Sequence, residues 1–308
     1  AFNREARLYV QTDFGEIGLG RMGGLDSGLG SYDIISKGYA FGTGWGSTIG
    51  DSSAILLGES SRFENMITYK SPTFAGVTVL AQASLSKNGN DNEGSSDANR
   101  YYALGAMGAW GDLTAGLIFS TTDYSRTWVN EADTEDQGRE GNSKVLSGFV
   151  AYDFGVVKPM LAAQYFDDLQ LNVWERDDSE GFKYDGEEVQ PAGWAARWLD
   201  GASVKGYGVI LGATAPLGAG TLYASVGYND YETTEGISVG QMPGGQVSMD
   251  KIELDTIQFG IGYQYPLSKR TYVYSAAGYT KVSGDTGISG LEGDTKTTEV
   301  VAGIVHNF

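Results

Sequence analysis

The chain of 308 residues has no cysteine, one histidine and six prolines. Without cysteine there is no disulfide framework and no thiolate metal site. A single histidine argues against a multi-histidine metal centre and against a histidine-based triad. Basic residues are also scarce: 21 Lys and Arg stand against 39 Asp and Glu, a formal net charge of -18. That excludes a general nucleic-acid binder, which needs a basic footprint. It suits a polar, cation-attracting interior or acidic exposed loops. No apolar run reaches the roughly 18 residues of a membrane-spanning helix. The first residues lack the pattern of a secretory signal. Helical periodicity is almost nowhere to be found.

What the chain has in quantity is glycine (46) and tyrosine (19), arranged in period-2 segments of about ten residues. Very short connections alternate with long polar ones. The segments are 4–13 with 16–22, 62–70 with 77–86, 100–110 with 113–121, 144–153 with 157–166, 204–213 with 221–230, 251–265 with 271–280, and a last one at 296–308. Short turns at one end and long loops at the other are the signature of an all-β, transmembrane antiparallel β-barrel, although the count of about 13 strands is odd where single-chain bacterial barrels use an even number. A mean hydropathy of -0.23 is compatible with it, because lipid-facing and lumen-facing residues average out along each strand.

Four segments alternate clearly. Arg62, Glu64, Met66, Thr68 and Lys70 fall on one face, with Phe63, Ile67 and Tyr69 on the other. Val77, Val79, Ala81 and Ala83 oppose Thr78, Gln82 and Ser84. Leu222, Ala224, Val226 and Tyr228 oppose Ser225, Gly227 and Asn229. Ile257, Phe259 and Ile261 oppose Thr256, Gln258, Gly260 and Gly262. One set is apolar and the other is rich in Gly, Ser, Thr and Gln, as a wet lumen allows. Aromatics gather near strand ends, Tyr101, Tyr102, Trp110, Tyr152, Phe154, Tyr263 and Tyr265 among them, as interfacial girdles require. A soluble sandwich or propeller would also alternate, but a fixed blade-length repeat is missing and the loop asymmetry would go unexplained.

The stretch 14–69 is strand, glycine-rich loop and strand. Its loop of roughly 40 residues is too long to be a plain connection. It carries Tyr32, Ile34, Ile35, Tyr39, Phe41, Trp45, Ile49, Ile55, Leu56 and Leu57, enough apolar surface to pack against something. The expectation is a single domain over 1–308, with residues 23–61 folded into the bore as a constriction.

Several segments resemble the general diffusion porins of Gram-negative outer membranes, the betaproteobacterial type in particular. Arg4-Glu5-Ala6, Asp13-Phe14-Gly15 and Leu19-Gly20-Arg21 look like the strand pair before the family's constriction loop. Arg62 to Asn65, Tyr69, Ser71-Pro72, Phe74 and Gly76 look like the strand and turn after it. Pro266-Leu267-Ser268-Lys269-Arg270-Thr271 and Gly303-Ile304-Val305-His306-Asn307-Phe308 look like the last turn and the terminal strand. The family usually has a basic residue where Val305 stands. The resemblance implies a 16-stranded barrel, a homotrimer, an inward-folded third loop, and a chain here that lacks about three amino-terminal strands. It implies a water-filled channel for passive diffusion of small hydrophilic solutes and ions. Outer-membrane lipid, lipopolysaccharide and two further copies of the chain would be its partners.

By position, the resemblance puts Arg4, Arg21 and Arg62 in a basic cluster on the wall. Strict alternation leaves Arg7 as the alternative to Arg4, and puts Arg21 on the parity of Ile17 and Leu19. Acidic candidates on the loop are Asp26, Asp33, Asp51 and Glu59. A pore's selectivity comes from width and lining charge, so no catalytic residue is expected, and no cofactor beyond divalent cations loosely held at acidic loops. The net charge favours weak cation preference, which a basic constriction would reverse.

Other patterns carry less. Gly18-Leu19-Gly20-Arg21-Met22-Gly23 mimics a dinucleotide fingerprint, but no helix or βαβ unit follows. Acidic pairs such as Asp13 with Glu16 are ordinarily solvated charge rather than hydrolytic pairs or Ca²⁺ ligands. A substrate-specific porin is a close variant. An adhesive or structural barrel stays open through Trp174, Trp194 and Trp198 in loop 167–202. A barrel phospholipase would need a Ser partner for His306.

Overall fold

The computed structural model describes residues 4–42, 44–45, 49–50, 52–58, 62–85, 99–124, 141–171, 202–235, 237–242, 245–249, 251–285 and 293–307. The period-2 segments form one 13-stranded antiparallel sheet. In chain order its strands are β1 (Ala6–Thr12), β2 (Gly15–Gly23), β3 (Arg62–Lys70), β4 (Val77–Ser84), β5 (Arg100–Trp110), β6 (Leu113–Asp123), β7 (Lys144–Tyr152), β8 (Lys158–Gln170), β9 (Ser203–Leu217) and β10 (Gly220–Thr233). A separate hairpin of β11 (Ile237–Met242) and β12 (Gly245–Met249) follows. The sheet resumes with β13 (Glu253–Pro266), β14 (Thr271–Asp285) and β15 (Gly293–His306). Each strand pairs with the next in this order, β10 pairing directly with β13. β1 and β15 are the two ends of the order, and no pairing joins them among the described residues.

Tight turns join the strands at one end of the sheet. Gly111 and Gly218 take φ of 60° and 62° there, a backbone that strains any residue with a side chain. Long segments join the strands at the other end. Extended strands with alternating burial follow from the sequence pattern: on β4 the residues Thr78, Leu80, Gln82 and Ser84 are buried, and those between are not.

The two faces of the sheet are inverted relative to a water-soluble protein. Leu117, Leu211, Ile261 and Val300 point outward and are 58%, 53%, 55% and 76% exposed. Thr68, Gln82, Ser120, Ser147, Gln164 and Asn229 point inward and are buried. Such an outer face is stable where its surroundings are hydrocarbon, the backbone groups of β2 to β14 being paired on both sides along the ladder. The inward residues are buried because the segment between β2 and β3 lies against them, and its Leu25, Tyr32, Ile34, Ile35, Tyr39, Ile55 and Leu56 join Met22, Phe63, Met66 and other wall residues in one buried apolar cluster.

Two sequence expectations fail here, the first at a bulge. Gly20 pairs with Met66 but Met22 pairs with Phe63, so β3 carries one extra residue between them. Asn65 absorbs it with a φ of 48°, a left-handed conformation that Asn tolerates better than most. The extra residue reverses the alternation. Phe63, expected outside with Ile67 and Tyr69, is fully buried inside with Met66 and Thr68. Tyr101, expected at an interfacial girdle, also points inward and stacks on Phe63, the ring centroids 4.2 Å apart.

Candidate functional site

The inner face of the sheet and the segment that lies on it make the site. From the end of β2 the segment first meets β5, where Leu25 and Ile34 lie over Gly105. A 3₁₀ turn at Ile35–Gly38 then fits Gly38 against Phe149 and Ala162 on β7 and β8. Ala40 lies on Gly212 of β9, Phe41 on Gly260 and Gly262 of β13, and Ile49 on Gly278 of β14. The chain returns with Ile55 on Gly208 and Gly227 of β9 and β10. The segment is therefore a strap that runs out along the inner wall to β14 and back. It is bedded on glycines: a Cβ at Gly208 would come within 2.0 Å of the Ile55 carbonyl oxygen, and one at Gly278 within 2.9 Å of the Ile49 side chain. Close approach of one backbone to another is what glycine in a strand permits.

Two wall carboxamides hold the strap's backbone, and a third holds the end of β2 from which the strap departs. Gln82 Nε2 donates to the Gly23 carbonyl at 3.1 Å. Gln164 Oε1 accepts from Gly58 N–H at 2.6 Å while its Nε2 donates to Ser147. Asn229 Nδ2 donates to the Ala54 carbonyl at 2.7 Å. Gln82 and Asn229 stood on the polar faces of the sequence, but alternation alone could not tell a clamp from a wetted wall.

A charged cluster ties the strap to β1 and β2. Arg7 pairs with Gly20 in the ladder and so shares the inner face with Tyr9, Gly18 and Glu16. Its Nε lies 2.8 Å from Glu5, and its Nη1 lies 3.2 Å from Glu16 and 2.8 Å from the Tyr32 hydroxyl. The guanidinium also lies over the rings of Tyr9 and Tyr32, 4.8 and 4.7 Å from their centroids. Tyr32 donates to Glu16 at 2.5 Å. Burial and that bond push the Tyr32 phenol up to about 12, so it stays protonated and keeps donating. Glu5, Glu16 and Tyr32 were not among the sequence candidates. The signal for Glu16 was present, since it shares the parity of Gly18 and Gly20.

Of the four basic candidates, Arg7 alone takes the inner parity. Arg4 precedes β1, is exposed and keeps the parity of Ala6 and Leu8. Arg21 keeps the parity of exposed Ile17 and Leu19, and its Nη1 is 2.8 Å from Glu64 Oε1. Arg62, placed by simple alternation with Met66 and Thr68, stands opposite Gly23 and on the parity opposite to Phe63; the bulge at Asn65 is the physical reason. The inner wall thus does not gather Arg4, Arg21 and Arg62 together.

Asp26 and Asp33 are both buried, 5% and 8% exposed. Asp26 accepts from Tyr101 Oη at 3.1 Å and from Ser120 Oγ at 2.7 Å, which fastens the strap to β5 and β6. Asp33 accepts from the backbone N–H groups of Gly28 and Ser36, which knits the strap to itself. Burial raises the Asp33 pKa, and the two N–H bonds oppose that rise. Neither carboxylate is held out into open space. Asp51 and Glu59 lie outside the described residues, as does most of the acidic loops to which divalent cations were assigned. Among the described residues no group of His, Asp or Glu is arranged to hold a metal ion.

The comparisons with known proteins agree with this geometry. The family model of the Gram-negative porins matches residues 1–285. An outer membrane porin protein of Bordetella pertussis is 27% identical over 326 aligned positions, covering 100% of this chain and 72% of the relative. Among solved structures, an anion-selective porin from Comamonas acidovorans superposes with a TM-score of 0.59 at 20% identity, covering 100% of this chain and 78% of that one. OmpT, an outer membrane protein of Vibrio cholerae, superposes in its trimer form with a TM-score of 0.58 at 13% identity, covering 98% of this chain and 78% of that one. The two structural likenesses speak for the fold. The family match extends over most of the sequence, and with it the chain belongs to the Gram-negative porins.

Proposed function

We propose that the protein is an outer-membrane channel for passive diffusion of small hydrophilic solutes and ions, with the strap of residues 24–58 narrowing its bore. The observation that carries this is the inverted sheet: exposed aliphatic side chains outside, buried Thr, Ser, Gln and Asn inside. An outer face of that kind belongs against the acyl chains of outer-membrane lipid and lipopolysaccharide, and an inner face of that kind against water. Width and lining charge then do the selecting, and the protein acts as a conduit rather than an enzyme.

The channel prefers cations weakly. Support comes from the acidic balance of the chain and from the bore itself, where Arg7 is flanked by Glu5 and Glu16 while Arg21 pairs with Glu64 on the other parity. The functional unit is a homotrimer; Vibrio cholerae OmpT, which shares the fold, is described in a trimer form.

Single-channel conductance of the full-length protein in a planar bilayer, under a salt gradient, tests all three points. The expected record is ohmic openings that close in three equal steps, with a reversal potential on the cation side. A well-folded protein that never conducts overturns the channel.

A further inference from the structure

We propose that the tip of the strap and the facing wall form a stacking station for a neutral pyranose ring, so that sugars pass this channel by way of a saturable subsite. The proposal deepens the channel function above and rests on it.

Four aromatic rings meet where the strap reaches its furthest point. The Trp45 ring centroid lies 4.8 Å from that of Tyr223 on β10 and 5.3 Å from that of Tyr274 on β14. Phe41 closes the group from beneath, 5.3 Å from Trp45, and is itself 1% exposed. Trp45, Tyr223 and Tyr274 are half-buried. Two of these rings lie directly on backbone. A Cβ at Gly262 would come within 2.8 Å of the Trp45 ring, and one at Gly303 within 2.7 Å of the Tyr274 ring. Trp45 and Tyr274 therefore rest on the wall, and both keep part of their surface exposed.

The polar groups around the rings choose the ligand. In the ladder, Thr221, Gln264, Tyr274 and Gly303 form one inward row, and Tyr223, Gly262, Ala276 and Val301 form the next. These two rows bring hydroxyls and one carboxamide and include no charged side chain. Tyr223 Oη donates to Gln264 Oε1 at 3.3 Å, a long bond that leaves the amide nitrogen free of that contact. A flat ring with an apolar C–H face and a rim of hydroxyls matches this set. A planar anion does not, because no cation stands in either row to meet its charge.

The experiment is blockade of the ion current through the full-length protein by maltotriose, with benzoate as the planar anionic comparison. Saturable block by maltotriose and none by benzoate at equal concentration is the expected result. Trp45→Ala and Tyr274→Ala should each raise the half-blocking concentration by about fivefold. Tyr274→Phe, which keeps the ring, should leave it nearly unchanged and guards against a folding defect. Open channels that maltotriose does not block, or alanine variants that block as the parent does, overturn the station and leave the channel standing. Block by benzoate instead overturns the choice of sugar. A protein that never conducts overturns the channel itself.

Discussion

The strap is held in two different ways on the two sides of the bore. On the near side, across β1 to β6, the anchors are mostly polar: Tyr32 on Glu16, Asp26 on Tyr101 and Ser120, Gln82 on the Gly23 carbonyl. On the far side, across β9 to β14, aliphatic and aromatic side chains lie in hollows left by glycines, with Asn229 as the polar exception. Polar anchors are directional and fix where the strap starts. Glycine hollows are shapes and fix how far the strap stands out from the wall. The first kind is lost by removing a group, the second by adding one.

That contrast sets the order of expected effects. Gly208→Leu should act most strongly. The hydrogen-bonded wall cannot yield, so the Ile55 backbone must move inward, and overpacking of this kind costs about 1–3 kcal/mol. Single-channel conductance should fall at least about twofold by the same steric argument; an unchanged conductance would mean that the hollow does not set the bore. Asp26→Ala leaves the Tyr101 and Ser120 hydroxyls without that acceptor at a buried site, about 1–3 kcal/mol in thermal denaturation. It loosens rather than displaces the strap, so current noise should rise while mean conductance changes little. Equal effects of these two variants would erase the distinction between the sides.

The near side also carries charge on its inner face, whereas the inward rows of β9, β10, β13 and β14 hold no charged side chain. Arg7→Gln removes the cation and leaves Glu5 and Glu16, so the reversal potential should move further to the cation side. A move the other way would show that the two glutamates do not face the permeating ions. Glu64→Gln should do least. Its partner Arg21 is on the outward parity, and a partly exposed pair of this kind contributes no more than about 1 kcal/mol. Selectivity should be indistinguishable from the parent.

Much of the wall was legible in the sequence, because alternation is local. The β10 and β13 residues fall on the faces that their period-2 pattern assigns. The strand ends are found within a few residues, as where 113–121 becomes Leu113–Asp123. Arg7 was distinguishable from Arg4 on parity alone. The bulge at Asn65 was not legible, because it is a mismatch between two strands rather than a feature of one. Its effect was large, since a single inserted residue turned Phe63 inward and Arg62 away. The parts played by Asp26, Gln82, Gln164 and Asn229 were equally hidden. Each depends on which wall residue a distant piece of the strap comes to rest against, and no local pattern encodes that meeting.

The Asn229 clamp has a consequence for how the molecule is made. Its bond to Ala54 joins positions 175 residues apart, and the Ile49 contact with Gly278 reaches further still. Contacts of such long range form late, because the loop between them must first be closed at an entropic cost. The strap is synthesised early, yet the strands that receive it come near the other end of the chain. Until β10 and β14 are in place, Phe41, Ile49 and Ile55 have no wall to lie on and remain open to water, to proteases and to holdase chaperones. Seating of the strap is therefore a closing event of assembly.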